Sequence, residues 1–390
     1  MTTRADTSCK TLTRGELLDQ ASKLTPILKE RAPLTEGLRR VPTETVDDLL
    51  ASGLHLIGVP RKFGGLDVDY GISLDVGVEL AKGCASTSWC YSLWVAHAWL
   101  VGFWPLQAQE EIFGASPNVL CSSSLSPGKS TCTPADGGYH LTGRWEFSSG
   151  CDSADWIMLG VAGIDQRNWA LVPKEDREIV DTWFVSGLRG SGSKDIVVED
   201  AFIPAHRVVE VTTAGDTDLT GWAIHGQDRY RVPIPVLLGW DLVAPMIGVA
   251  RGMAEEFIAK LTGTTGPGRT ADSAAIHLRL SQACAEADAA QALMDLDVAE
   301  ILRKGREGEP FNALERARFR RDKAFCTQLG LQAVNRLFDL SGGHALFESE
   351  PMQRLHRDAQ AIAHRDGLIM DLGGQQYGRV ALGLQPDGAI

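Results

Sequence analysis

Tyr139-His-Leu-Thr-Gly-Arg-Trp-Glu-Phe-Ser-Ser-Gly-Cys151 is the stretch whose reading decides the fold. Residues 139–147 alternate: Tyr139, Leu141, Trp145 and Phe147 fall on one face, His140, Thr142, Arg144 and Glu146 on the other. That period of two predicts a strand with one buried face. The strand then runs into two hydroxyls and a glycine, which is turn chemistry. Around it, Asp155–Ala162, Trp169–Pro173, Ile179–Val185 and Lys194–Val198 read as further short strands between turn signals. Together they predict a small antiparallel β-barrel over residues 116–212.

Outward from this centre the period changes. Leu17, Leu18, Ala21, Leu24 and Leu28 recur at helical spacing. A second helix is framed by Pro42–Thr43 and Gly53, a third covers Gly71–Lys82, and an aromatic fourth covers Ser86–Gly102. Beyond about Val236 the pattern is helical again, and Ala271–Lys304 and Phe311–Leu340 are long enough to predict a bundle. The expected fold class is α+β, mainly α. It comprises an N-terminal helical domain (1–115), a middle antiparallel β-barrel (116–212) and a C-terminal four-helix bundle that carries oligomerisation (213–390).

Composition narrows the function. The 390 residues carry a net charge of −12, with 44% hydrophobic and 23% charged residues. An acidic, ordinary globular composition argues against a nucleic-acid partner. The most apolar run, Val232–Val249, holds Asp241 and three prolines, so no membrane span is expected. Met1–Lys10 has no apolar core of a secretory signal, and the eight cysteines form no C-x-x-C pair. Reduced thiols in a cytoplasmic protein are the expectation. Dinucleotide-binding, P-loop, zinc-protease and nucleophile-elbow motifs are absent from the sequence. His356 and His364 lie two turns apart without a completing carboxylate, so no metal site is expected.

Three segments remain as chemistry: Val119-Leu-Cys-Ser-Ser-Ser-Leu-Ser-Pro-Gly128, the Trp145–Cys151 turn, and Trp183-Phe-Val-Ser-Gly-Leu-Arg-Gly-Ser-Gly-Ser193. Hydroxyls and amides at strand ends bind the polar edge of a flat heterocycle, and tryptophan covers its face. Read on their own, the same residues also serve simply as barrel turns.

These segments, with Phe63-Gly-Gly65, Ser341-Gly-Gly-His-Ala-Leu-Phe347, Gln353-Arg-Leu-His-Arg-Asp358 and Tyr377-Gly-Arg-Val-Ala-Leu-Gly-Leu384, resemble the acyl-CoA dehydrogenase superfamily. Within it, the chain is most similar to the oxygenase components of two-component flavin-dependent monooxygenases. The resemblance implies the three-part fold above, a homotetramer, and hydroxylation of a phenolic or polycyclic aromatic substrate through a flavin C4a-hydroperoxide. It implies reduced FMN or FAD, molecular oxygen as co-substrate, and a separate NAD(P)H:flavin reductase.

It also assigns roles. Ser148, with Ser149 as its one-residue alternative, stands near flavin N5. His97, with Ser123 and Trp94, meets the substrate, and Ser123 also reaches the flavin side. His364 is a third catalytic group beside the flavin. Trp183, Arg269, Gly342 and Gly343 complete the cofactor set. In the dehydrogenase branch a glutamate base stands near residue 366. Here Asp366 is one methylene shorter and reads as an exposed helix-end carboxylate. An acyl-CoA dehydrogenase-type oxidoreductase is the alternative activity.

Overall fold

The computed structural model describes residues 12–164, 167–211, 220–262 and 270–388. Five helices come first: α1 (Arg14–Leu38), α2 (Thr43–Ser52), α3 (Gly71–Gly83), α4 (Ala85–Val101) and α5 (Leu106–Phe113). Eight strands follow: β1 (Cys121–Ser124), β2 (Lys129–Ala135), β3 (Gly138–Ser148), β4 (Trp156–Val161), β5 (Asn168–Pro173), β6 (Glu178–Val180), β7 (Lys194–Pro204) and β8 (Val208–Glu210). Seven helices close the described chain: α6 (Thr220–His225), α7 (Ile234–Leu237), α8 (Trp240–Thr262), α9 (Ala274–Glu307), α10 (Ala313–Phe338), α11 (Pro351–Ala363) and α12 (Met370–Ala381).

Local chemistry sets the helix ends. Thr13 and Glu16 form a reciprocal capping box on α1. Pro42 precedes α2, and Gly53 ends it in the left-handed conformation. Leu17, Ala21, Leu24 and Leu28 are buried as the spacing predicts. Helix α4 is buried on every side, the signature of a core helix rather than an amphipathic one. It packs against α3 and α8 and touches β1 and the loop after Leu188, which makes it the axis of the functional region.

The β region consists of two four-stranded sheets, ordered β1-β4-β5-β8 and β2-β3-β7-β6. Pairing is antiparallel except between β1 and β4, which run parallel. Leu141, Trp145, Ile157, Leu159, Val172 and Ile196 fill the space between them. The Trp145 indole N–H donates to Gly160 O across that space at 2.7 Å.

Two sequence expectations need correcting. The strand expected over Ile179–Val185 ends at Val180, because the following residues leave the ladder as a loop. Thr182 Oγ1 ties that loop to Asp195 Oδ1 at 2.8 Å. Phe147 does not share the buried face of Trp145: it is 61% exposed, with φ at +63°. A register shift between Trp145 and Ser148 absorbs the bend and turns Ser148 inward.

In the C-terminal part α10 packs against α8, α9, α11 and α12. Ile234–Thr262 is the one described segment long and apolar enough to cross a membrane, and 67% of its apolar window is buried inside this protein. Its apolarity is core packing.

Candidate active site

One side of α4 carries Trp89, Cys90, Trp94 and His97, and each meets the β region. Trp94 donates to Gly150 O at 3.3 Å. Gly150 has φ at +70°, and a Cβ there would lie 2.6 Å from the Trp94 indole nitrogen, so this turn requires glycine. Trp89 donates to Ser149 Oγ at 3.1 Å. Ser149 Oγ and Ser193 Oγ lie 2.7 Å apart, as do Ser193 Oγ and Ser191 Oγ. Ser149 is thus bound into a buried ladder of hydroxyls. Ser148 is different. Its fully buried Oγ donates to Ser122 Oγ at 3.3 Å, long for a hydroxyl pair.

His97 is 2% exposed and has both ring nitrogens engaged. Nδ1 lies 2.9 Å from Cys121 O, and Nε2 lies 2.8 Å from Ser123 Oγ. A carbonyl only accepts, so Nδ1 carries the hydrogen and Nε2 accepts from the Ser123 hydroxyl. Burial pushes the imidazole down to about 4. The ring is therefore neutral at physiological pH, and half-buried Ser123 keeps lone pairs free to accept a hydrogen bond from a ligand.

Aromatic surface lies beside Ser148. Phe147 meets half-buried Trp183 edge-on, with centroids 6.1 Å apart and planes at 88°. Phe184 is 72% exposed, with the Arg39 guanidinium 4.0 Å from its ring centre. A buried hydroxyl with a weak partner next to open aromatic faces fits the polar edge and flat body of a flavin. The donor set is right for that group. Ser148, Ser123 and Trp183 are the residues here that would hold it, while Ser149, the one-residue alternative, is taken up by Trp89 and Ser193.

The other expected residues stand apart from this group. His364 caps the end of α11 and is exposed, with Nδ1 2.7 Å from Gln360 O. Gly342 and Gly343 are exposed at the turn after α10, Gly342 with φ at +67°. Asp366 is exposed. Arg269 lies outside the described residues.

Several contributors went unassigned from sequence. Cys121 acts through its backbone carbonyl, which side-chain patterns do not reveal. Ser191 and Ser193 stand in the quoted Gly-Ser-Gly-Ser run, but only the fold points them at Ser149. Asp358 ends a quoted motif without a role. It is 5% exposed, it accepts from the Leu188 N–H at 2.7 Å, and burial raises its carboxyl to about 7.

Comparison with known proteins identifies the family. Residues 241–366 match the family described as acyl-CoA dehydrogenase, C-terminal domain. With helices, two sheets and a bundle in that order, the chain is a flavoprotein of the acyl-CoA dehydrogenase fold. It is 33% identical over 95% of both chains to the FADH(2)-dependent resorcinol hydroxylase, oxygenase component, of a Rhizobium species. The crystal structure of the HsaA monooxygenase from M. tuberculosis superposes with a TM-score of 0.91 at 31% identity, over 97% of this chain and all of that one. XiaF from Streptomyces sp., solved with FADH2 and glycerol, gives a TM-score of 0.89 at 26% identity, over 96% and 97% of the two chains. The protein belongs to the oxygenase components of two-component flavin-dependent monooxygenases.

Proposed function

We propose that this monooxygenase hydroxylates a phenolic or polycyclic aromatic substrate at a site between α4, β1 and the end of β3. The observation that carries the reading is the His97–Ser123 pair, whose hydrogen-bond direction is fixed by Cys121 O. A substrate hydroxyl donating to Ser123 Oγ extends that line, with Ser123 donating in turn to His97 Nε2. The burial of the ring decides what the pair does. Burial holds the His97 imidazole well below its ordinary value, so it is a poor final acceptor for a phenol proton. The pair therefore polarises the hydroxyl and raises electron density on the ring, without holding the proton.

Reduced flavin, when bound, supplies the two electrons that activate oxygen. Ser148 presents a hydroxyl from a buried, water-poor position, and Trp183, packed edge-on against Phe147, would cover the flavin ring beside it. Ser149 serves the turn. In this reading His364 remains a catalytic group beside the flavin, Gly342 and Gly343 belong to the cofactor set, and Trp94 belongs to the substrate wall. FMN and FAD both satisfy the residues near Ser148. The oxygenase-component relatives support a separate NAD(P)H:flavin reductase as the source of reduced flavin.

The change of element type between Phe113 and Cys121, and again between Glu210 and Thr220, supports domains at 1–115, 116–212 and 213–390. Exposed Leu278, Leu296, Leu382 and Leu384, all on the C-terminal part, support a homotetramer built through it. The described cysteines are unpaired, which suits the cytoplasm.

The test is to mix the purified chain with photoreduced FMN or FAD, then with oxygenated buffer and a panel of phenols. Hydroxylated product without any NAD(P)H is expected. Robust NADH oxidation by the chain alone counts decisively against the reading.

A further inference from the structure

We infer that Asp358 is a positioning residue for the oxygenation, fixing the Trp183 ring and the end of β3 through the loop of residues 181–193. The inference rests on the reading of Ser148 and Trp183 as the flavin side of the site.

A contiguous line of contacts carries it. Asp358, on α11, accepts from the backbone N–H of Leu188 at 2.7 Å. Leu188 is buried and held at φ +49°, a left-handed conformation that a branched, non-glycine residue adopts only when its surroundings impose it. Leu188 O accepts from the Trp183 indole N–H at 3.0 Å. The Trp183 ring stands edge-on to Phe147, itself left-handed at φ +63°, and the next residue is Ser148. Two of the four described non-glycine residues with positive φ, Leu188 and Phe147, thus lie on one path, and Asp358 stands at its far end.

The surroundings leave the loop little freedom to seat differently. A Cβ on Gly187 would come 2.0 Å from Arg357 O, so backbone meets backbone there. Arg357 Nη1 donates to Ser186 O at 2.6 Å and pairs with Glu36 of α1. Arg39 grips Asp181 and covers Phe184. These contacts place the loop against α1 and α11, and Ser191 N–H closes the turn by donating to Leu188 O at 3.0 Å. Asp358 holds the other side of the strained residue, its N–H, so losing it loosens Leu188 and with it the carbonyl that Ser191 and Trp183 share.

The test uses full-length Asp358→Ala and Asp358→Asn, with two readouts. The first is deuterium uptake of the flavin-free proteins. The second is the dissociation constant for photoreduced FMN and FAD, measured by anaerobic titration. Asp358→Ala should raise exchange of segments 181–193 and 145–149 by about tenfold, the scale of one lost buried bond to a carboxylate, and weaken flavin binding several-fold. Asp358→Asn keeps an acceptor oxygen and should stay within about twofold of wild type in both.

Uptake confined to segment 351–363, with 181–193 and 145–149 unchanged, overturns the proposal. So does looser exchange with flavin affinity unaltered, because Asp358 would then only staple the fold. A wild-type chain that binds neither flavin sinks the site reading and the positioning role with it, while the exchange data still decide the clamp. Should Asp358→Ala fail to fold, Trp183→Phe deletes the same line one step further on and keeps the ring. Its exchange at 145–149 should rise, and an unchanged value is the overturning result.

Discussion

The two walls of the site are built on opposite principles. On the α4–β1 side, His97 sits in a relaxed helix with both nitrogens satisfied at 2.8–2.9 Å, and its backbone partner is a regular strand. On the β3 side, Ser148 follows a left-handed phenylalanine and makes one long hydrogen bond. The first wall has its chemistry set by hydrogen-bond direction. The second has its geometry set by backbone strain supported from the loop of residues 181–193. A wall of the first kind fails when a partner atom is removed, and one of the second kind fails when the support shifts.

The largest break should come on the first wall. His97→Ala removes the acceptor for Ser123 and orphans Cys121 O, and single-turnover hydroxylation should fall about 10²–10⁴-fold. The pH dependence follows from the direction of the shift. The folded imidazole is held near 4, below its usual value of 6.5, so the unfolded chain takes up the proton first as pH falls. Stability should decline between about pH 6.5 and 4 on account of His97, and that part of the decline should vanish in His97→Gln. Hydroxylation should show no acid limb from His97 between pH 8 and 5. A limb near 6.5 that His97→Gln abolishes would mean the ring is not buried as described.

The second wall should break more gently. Ser148→Ala is expected to fold and bind flavin yet release more hydrogen peroxide per product, corresponding to about 1–3 kcal/mol from one lost donor. Ser149→Ala should do the reverse. It leaves Trp89 N–H and Ser193 Oγ short of a partner, so melting temperature falls while the peroxide-to-product ratio holds. Raised peroxide in Ser149→Ala but not in Ser148→Ala would exchange their roles. Asp366→Asn, an exposed change, should leave the rate near wild type, whereas loss of activity there would favour dehydrogenase-type proton abstraction.

This division explains what was legible in the sequence. Helix periods, Pro42 and Gly53, and the alternation through Trp145 are local signals, and local signals placed α1 to α4 and most of β3. His97 and Ser123 were reachable through the resemblance, and their pairing needed only α4 to pack on β1. The second wall was not legible because nothing in Trp-Glu-Phe-Ser-Ser marks the residue where alternation breaks. Phenylalanine has no left-handed preference of its own, so the bend at 147 is imposed from outside by Trp183, Leu188 and Asp358. The parallel pairing of β1 with β4 was hidden for the same reason: four residues, three of them serines, carry no register.

The smallest prediction tests whether Phe147 is strained at all. In a regular strand, alanine is more stable than glycine by about 0.5–1 kcal/mol, because glycine loses more backbone freedom on folding. At a left-handed position the order reverses, since a Cβ there costs roughly 1–2 kcal/mol that glycine avoids. Phe147→Ala and Phe147→Gly both lose the edge-on contact with Trp183, so that contribution cancels between them. What remains is the backbone alone. Phe147→Gly should therefore be more stable than Phe147→Ala by about 0.5–1 kcal/mol in urea unfolding, with the same m-value. Phe147→Val, branched at Cβ, should be the least stable of the three. If alanine proves the more stable replacement, β3 is an ordinary strand to its end, and the contrast between the two walls falls with it.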